Sequence, residues 1–241
     1  MKTVVLMFQF LTKLPLPFKI NANSEDFQKG IVYFPLVGLV IGGLLWGGYQ
    51  IGHVFFPYYI AVFLTLAFHV FITGGLHLDG LADTFDGLYS YRKKAEMLEI
   101  MKDSRVGTNG VLVLIIALLL KGGLLLGLAT ESILWPFLLM PVYGRMMGVF
   151  LAHIGVYARP EGMGGFFIGH TKKIHVLMAL TITVLASLIH IKALLILPVM
   201  VILTYVYNHH VKAKIDGITG DVLGAWIEIS EIIFLMGVYL L

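Results

Sequence analysis

The chain contains no cysteine. That removes disulfides and thiolate chemistry together, and it leaves oxygen and imidazole donors for any metal, which favours hard cations. Charge is scarce as well: 13% of the 241 residues are charged against 59% hydrophobic, and the mean hydropathy is +0.91. A soluble core of this size cannot hide so much apolar side chain, so lipid is part of the solvent. Also missing are a P-loop, a GxGxxG after a strand, and a Ser placed with His and an acid, which sets aside the common nucleotide-binding loops and nucleophilic triads. The net charge of +3 and the pI near 9.0 fit Lys and Arg held beside anionic lipid, and nucleic acid is not an expected partner.

What is present is a series of long apolar runs. Taking about 17 to 25 residues per crossing, the pattern predicts an all-α, polytopic transmembrane bundle in a single membrane domain, residues 1–241. Seven spans are expected, near 32–51, 57–76, 109–128, 132–152, 174–190, 192–208 and 223–241. A six-span variant would fuse or shorten the fifth and sixth, which only His190, Ile191 and Lys192 separate. The N-terminal run breaks at Lys13 without a small-residue cleavage site, so the segment up to Leu14 reads as an interfacial amphipathic helix stopped by Pro15 and Pro17. Most of the 17 basic residues fall before span one or after spans two, four and six. By the positive-inside rule those connections and the N-terminus are cytoplasmic, and the C-terminus lies on the far side. Most acids gather in the same connections, among them Asp79, Asp83, Asp86, Asp103, Glu161, Asp216 and Asp221, whereas Glu131 alone sits in an outer one.

The densest polar cluster runs from Gly74 to Gly87 at the end of span two. If that helix continues past the membrane, Asp79, Asp83 and Asp86, spaced i, i+4, i+7, form one stripe about 60° wide. Three like charges on one face repel, and a multivalent cation among them relieves this; Mg²⁺ suits a few carboxylates plus phosphate oxygens and water. The plainer alternative is a solvated acidic helix end paired with lysines downstream. His77 points away from the stripe and reads as a packing residue. A second cluster, Met101 to Gly110, offers Lys102 and Arg105 to neutralise phosphate, Asp103 as an oxygen ligand, and Gly107 and Gly110 for close backbone approach; its alternative is a juxtamembrane turn.

The third cluster, Asp216 to Glu231, enters the last span. Asp221, Ala225 and Glu228 share a face there, and Glu228 and Glu231 lie inside the membrane, where an unpaired charge costs about 2.5 to 3.5 kcal/mol. Such acids face a polar cavity, although an N-cap at Thr219 or Asp221 accounts for part of the cluster. The loop from Arg159 to Phe167 is Gly-rich with paired aromatics, suited to closing over a flat ligand or to anchoring at the interface. A proton- or cation-coupled transporter is the alternative function, because Glu228, Glu231 and Arg145 could line a pathway; the absence of a visible repeat and the cytoplasmic placement of most acids weigh against it.

These motifs, together with Phe10-Leu11-Thr12-Lys13-Leu14-Pro15-Leu16-Pro17 and Tyr33-Phe34-Pro35-Leu36-Val37-Gly38, resemble the cobalamin synthase family, also called adenosylcobinamide-GDP ribazoletransferase. The likeness covers most of the chain and is least secure in the loop from Arg159. It implies a multi-pass protein of the cell inner membrane with its active site facing the cytoplasm. The implied reaction has α-ribazole or its 5′-phosphate attack the diphosphate of adenosylcobinamide-GDP, with Mg²⁺, releasing GMP and leaving adenosylcobalamin or its 5′-phosphate. On that reading Asp79, Asp83 and Asp86 bind the metal. Lys102, Arg105, Asn109 and Arg159 contact substrate, and Asp103, Asp221 or Glu228 takes the attacking hydroxyl's proton or completes the metal shell, with Asp83 also counted among the catalytic acids. A homo-oligomer is left open.

Overall fold

The computed structural model describes residues 2–241. Its α-helices are α1 (Lys2–Leu11), α2 (Ser24–Gly30), α3 (Phe34–Phe55), α4 (Tyr58–Thr73), α5 (Leu76–Leu88), α6 (Lys94–Ile100), α7 (Thr108–Thr130), α8 (Trp135–Ile154), α9 (Lys173–Ala186), α10 (Leu197–Ile215) and α11 (Gly220–Val238). No strand occurs among the described residues beyond an isolated bridge between Tyr157 and Ile218. Local signals set several starts. Asn23 and Asp26 form a reciprocal capping box on α2, and prolines occupy the first turn of α3, α8 and α10, where a missing N–H costs no helical bond.

Among the described residues, four stretches are long and apolar enough to cross a membrane: Ser24–Phe55, Thr108–Thr130, Trp135–Ile154 and Ile191–Ile215. A fifth appears if α4 and α5 are taken as one broken span, but they meet at 87°. The fifth and seventh of the apolar runs behave differently for physical reasons. α9 has only 14 residues before 3₁₀ turns replace it, and α11, although 19 residues long, carries Asp221, Glu228 and Glu231. Rather than facing lipid, α11 is buried along most of its length, as is α8. Large apolar side chains on the other helices are exposed, including Phe63, Leu119, Leu185 and Ile202, as in a protein embedded in a membrane.

Glycine spacing allows the central helices to approach closely. Gly38 and Gly42 of α3 sit against the backbone of α8 at Pro141 and Leu138, and Gly144 and Gly148 of α8 sit against Ile227 and Glu231 of α11. Both pairs are i, i+4, so each presents a smooth stripe, the usual device where apolar area alone does not drive helices together in lipid. Charges then tie the centre: Lys121 of α7 donates to Glu228 at 2.5 Å and to Glu231 at 2.7 Å, and Arg145 of α8 donates to Glu231 at 3.1 Å. None of these four side chains is more than 5% exposed. The acids whose burial looks costly in the sequence are therefore compensated by cations on two other helices.

Candidate active site

The site begins at the break between α4 and α5. Gly74 and Gly75 adopt φ of 63° and 70°, a left-handed region that a Cβ strains. Their N–H groups donate to Phe71 and Val70, ending α4, and α5 starts afresh at Leu76. The apolar run predicts a helix that continues straight on; two consecutive left-handed glycines turn it instead. The N-terminal arm braces the turn, since the Lys13 N–H donates to the Ile72 carbonyl at 2.6 Å and the Lys13 stem lies on Gly74. Past the bend, Gly80 touches the backbone of Asp221 and Gly224 touches His77, so α5 lies against the first turns of α11. His77 is buried in that contact.

A second connection closes the site. After α8 the chain pairs with the segment before α11: the Ala158 N–H donates to the Ile218 carbonyl at 3.0 Å, and the Ile218 N–H to the Val156 carbonyl at 2.8 Å. This pairing brings Arg159 Nη2 to 2.9 Å from Asp221 Oδ2. The approach is electrostatic rather than an aligned hydrogen bond, and the guanidinium Nε and Nη2 remain without a hydrogen-bond partner, leaving donors for an incoming anion. The Gly-rich stretch beyond is held in place by aromatics. Phe166 stacks on Phe27 at 5.2 Å, and Phe167 meets Phe10 and Phe34 at 5.6 and 5.3 Å.

Asp79, Asp221, Arg159, His77, Tyr157 and Phe10 line one cavity of about 310 Å³. Asp83 lies one turn further along α5. Burial, then the charges of Asp79, Asp221 and Asp86, push its carboxyl up to about 7, with Arg159 opposing. Asp86 belongs to the same stripe but fastens the second cluster to α5, because its two oxygens accept the N–H groups of Gly107 at 2.7 Å and Gly110 at 2.9 Å. Among the described residues no three His, Asp or Glu side chains converge into a ready metal shell.

The other residues singled out from the sequence are placed elsewhere. Lys102 pairs with Glu99 at 2.8 Å, and Arg105 pairs with Asp103 at 2.6 Å, both on the exposed loop. The Arg105 guanidinium and backbone hold Asp103 down to about 2. The Asn109 side chain donates to the Tyr89 carbonyl at 3.3 Å. Glu228 belongs to the buried ion pairs with Lys121. Of the acids that spacing singles out, Asp79 and Asp221 line the cavity, Asp83 lies one turn beyond, and Asp86 and Glu228 are bound to other groups, while the pairing of Arg159 with Asp221 and the lining by Tyr157 depend on loop contacts that carry no periodic signal.

Kinship with known proteins gives the family of the chain. The family model described as CobS, cobalamin-5-phosphate synthase, matches residues 3–239. The chain belongs to the CobS family. A protein of Alkaliphilus metalliredigens (strain QYMF) named adenosylcobinamide-GDP ribazoletransferase is 43% identical over 241 residues, covering 100% of this chain and 96% of its own length. Relatives of the same name from Clostridioides difficile (strain 630) and Clostridium novyi (strain NT) are each 42% identical, covering 100% and 98% of this chain and 98% and 96% of their own lengths. These names support a CobS transferase and lend nothing to a transporter. No solved structure matches.

Proposed function

We propose that this CobS-family chain is an adenosylcobinamide-GDP ribazoletransferase acting at the cavity between α5 and α11. The observation that carries the reading is the convergence of Asp79, Asp221 and Arg159 on one cavity, in a chain related over its full length to enzymes of that name. A hydroxyl oxygen of α-ribazole, or of its 5′-phosphate, bonds to the cobinamide-side phosphorus. The bond from that phosphorus to the bridging oxygen breaks, its electron pair leaves with GMP, and the hydroxyl proton passes to a carboxylate. Arg159 is placed to exchange Asp221 for the diphosphate, which frees Asp221 on the opposing helix to take that proton.

Mg²⁺ fits the donor set. It needs only one or two carboxylates beside substrate phosphate and water, and Asp79 and Asp83, one turn apart and mutually repelling, would supply them. Held there, it would supply neutralisation of charge on the diphosphate. Asp86 holds the loop of Lys102 and Arg105 near the site and stands behind the metal-binding pair. That loop supplies peripheral positive charge for the nucleotide, with Asn109 fixing its base, and Asp103 serves as the Arg105 partner. Glu228 acts through the packing of α11 against α7.

The orientation proposed has the N-terminus, the acidic cavity and the loops after α4 and α8 on the cytoplasmic side of the cell inner membrane. The chain then crosses seven times, with α9 as a short crossing and α11 as a charged one shielded by its neighbours, and α1 lies along the interface. Purified protein in lipid should release GMP from adenosylcobinamide-GDP when α-ribazole 5′-phosphate and Mg²⁺ are supplied, and chelation with EDTA should stop it. Turnover unaffected by EDTA would remove the metal from this account, and no GMP release would remove the activity.

A further inference from the structure

A second cavity, of about 480 Å³, adjoins the first at Asp79. It shares Phe10, Leu76 and Asp79 with the first and is otherwise walled by polar groups of the N-terminal arm and the α4–α5 bend, among them Thr12, Lys13 and Thr73. We propose that this cavity holds the phosphate monoester of the acceptor nucleotide and that Lys13 is the cation that recognises it. The inference rests on the transferase reading and adds to it where the second substrate sits and which form of that substrate is favoured.

Three observations carry it. First, Lys13 is the cation in the wall of the second cavity, as Arg159 is in that of the first, whereas Lys102, Arg105 and Lys94 are paired with Glu99, Asp103 and Asp216. Lys13 has no carboxylate partner among the described residues. Second, Lys13 is positioned rather than trailing, because its N–H is bound to the Ile72 carbonyl at 2.6 Å and its stem rests on Gly74. A lysine anchored by its backbone and stem at the wall of a polar cavity suits a dianionic phosphate, which carries about −1.5 to −2 charge at neutral pH. Third, in-line displacement requires the attacking and leaving oxygens on opposite faces of the phosphorus. Two adjoining cavities that share Asp79 give the two substrates separate seats, the one with Arg159 for the diphosphate and departing GMP, the one with Lys13 for the nucleotide that attacks.

The test compares α-ribazole 5′-phosphate with unphosphorylated α-ribazole as acceptors for wild type, Lys13→Met and Lys13→Arg in lipid, following GMP release. Lys13→Met keeps the stem on Gly74 and removes only the charge. It should raise KM for the phosphorylated acceptor about tenfold or more, as expected for losing a charge-assisted contact, and leave KM and kcat with the free nucleoside within about twofold. Lys13→Arg should recover most of the loss. Equal effects on both acceptors, or no effect on either, would overturn the subsite while leaving the transferase standing. Absence of GMP release by the wild type with either acceptor would overturn both. Should Lys13→Met fail to insert, wild type decides the matter alone: ribose 5-phosphate should compete with the phosphorylated acceptor and ribose should not, and equal potency of the two would overturn the proposal.

Discussion

Asp83 combines two unfavourable circumstances, partial burial and three neighbouring carboxylates, and its carboxyl is lifted from 3.8 to about 7. A carboxyl raised on folding binds more protons in the native than in the unfolded chain between those values. Its contribution is therefore neutral below about pH 4, becomes destabilising as pH rises from about 4 to 7, and is fully destabilising above. Asp83→Asn should remove that slope: in metal-free protein it should raise the melting temperature at pH 8, change it little at pH 4, and abolish GMP release. A melting curve as steep in pH as wild type would assign the slope to another group. The stripe of Asp79, Asp83 and Asp86 is readable from spacing because it lies within one helix. The capture of Asp86 by the Gly107 and Gly110 amides is not, since it joins residues more than a helix apart in sequence through a turn.

At the level of elements, the 87° turn between α4 and α5 is what sets the aspartates against α11. Gly74→Ala and Gly75→Ala separate the two demands on this turn. Both strain a left-handed residue, by about 1 to 2 kcal/mol, but a Cβ on Gly74 also strikes the Lys13 stem, whereas one on Gly75 meets nothing. Gly74→Ala should therefore lower the melting temperature more than Gly75→Ala, and equal losses would mean that the arm does not brace the turn. The positions of the helices are legible from apolar run length: the segments near 32–51, 109–128 and 132–152 fall on α3, α7 and α8. The bend is not, because a Gly-Gly pair inside an apolar pattern does not declare a left-handed conformation. Nor is the joining of Tyr157 to Ile218, which depends on two loops meeting after the helices have packed.

Across the whole molecule, Lys121, Arg145, Glu228 and Glu231 form a balanced set of two cations and two anions that locks α7, α8 and α11. The sequence displays each charge within an apolar run, but their partnership needs the relative rotation of three helices, which run length leaves undefined. Removing one member strands the others: Lys121→Met should cost about 3 to 5 kcal/mol, read as loss of folded protein in detergent. Adding Glu228→Gln to Lys121→Met should restore part of it, and a double variant weaker than the single would contradict the charge-balance account. That lock keeps the α11 face carrying Asp221 in register with α5, so a fold built largely of lipid-facing helices presents a cavity carrying Asp79, Asp221 and Arg159.

The most direct test of chemistry at that cavity is single-turnover GMP release from adenosylcobinamide-GDP by Asp79→Asn in lipid with α-ribazole 5′-phosphate and Mg²⁺, beside Asp103→Asn. Asp79→Asn is predicted to slow release by about a hundredfold or more with its melting temperature kept, while Asp103→Asn, partly exposed and paired only with Arg105, stays within about threefold of wild type. Wild-type rates in Asp79→Asn, with the larger loss in Asp103→Asn, would contradict the account.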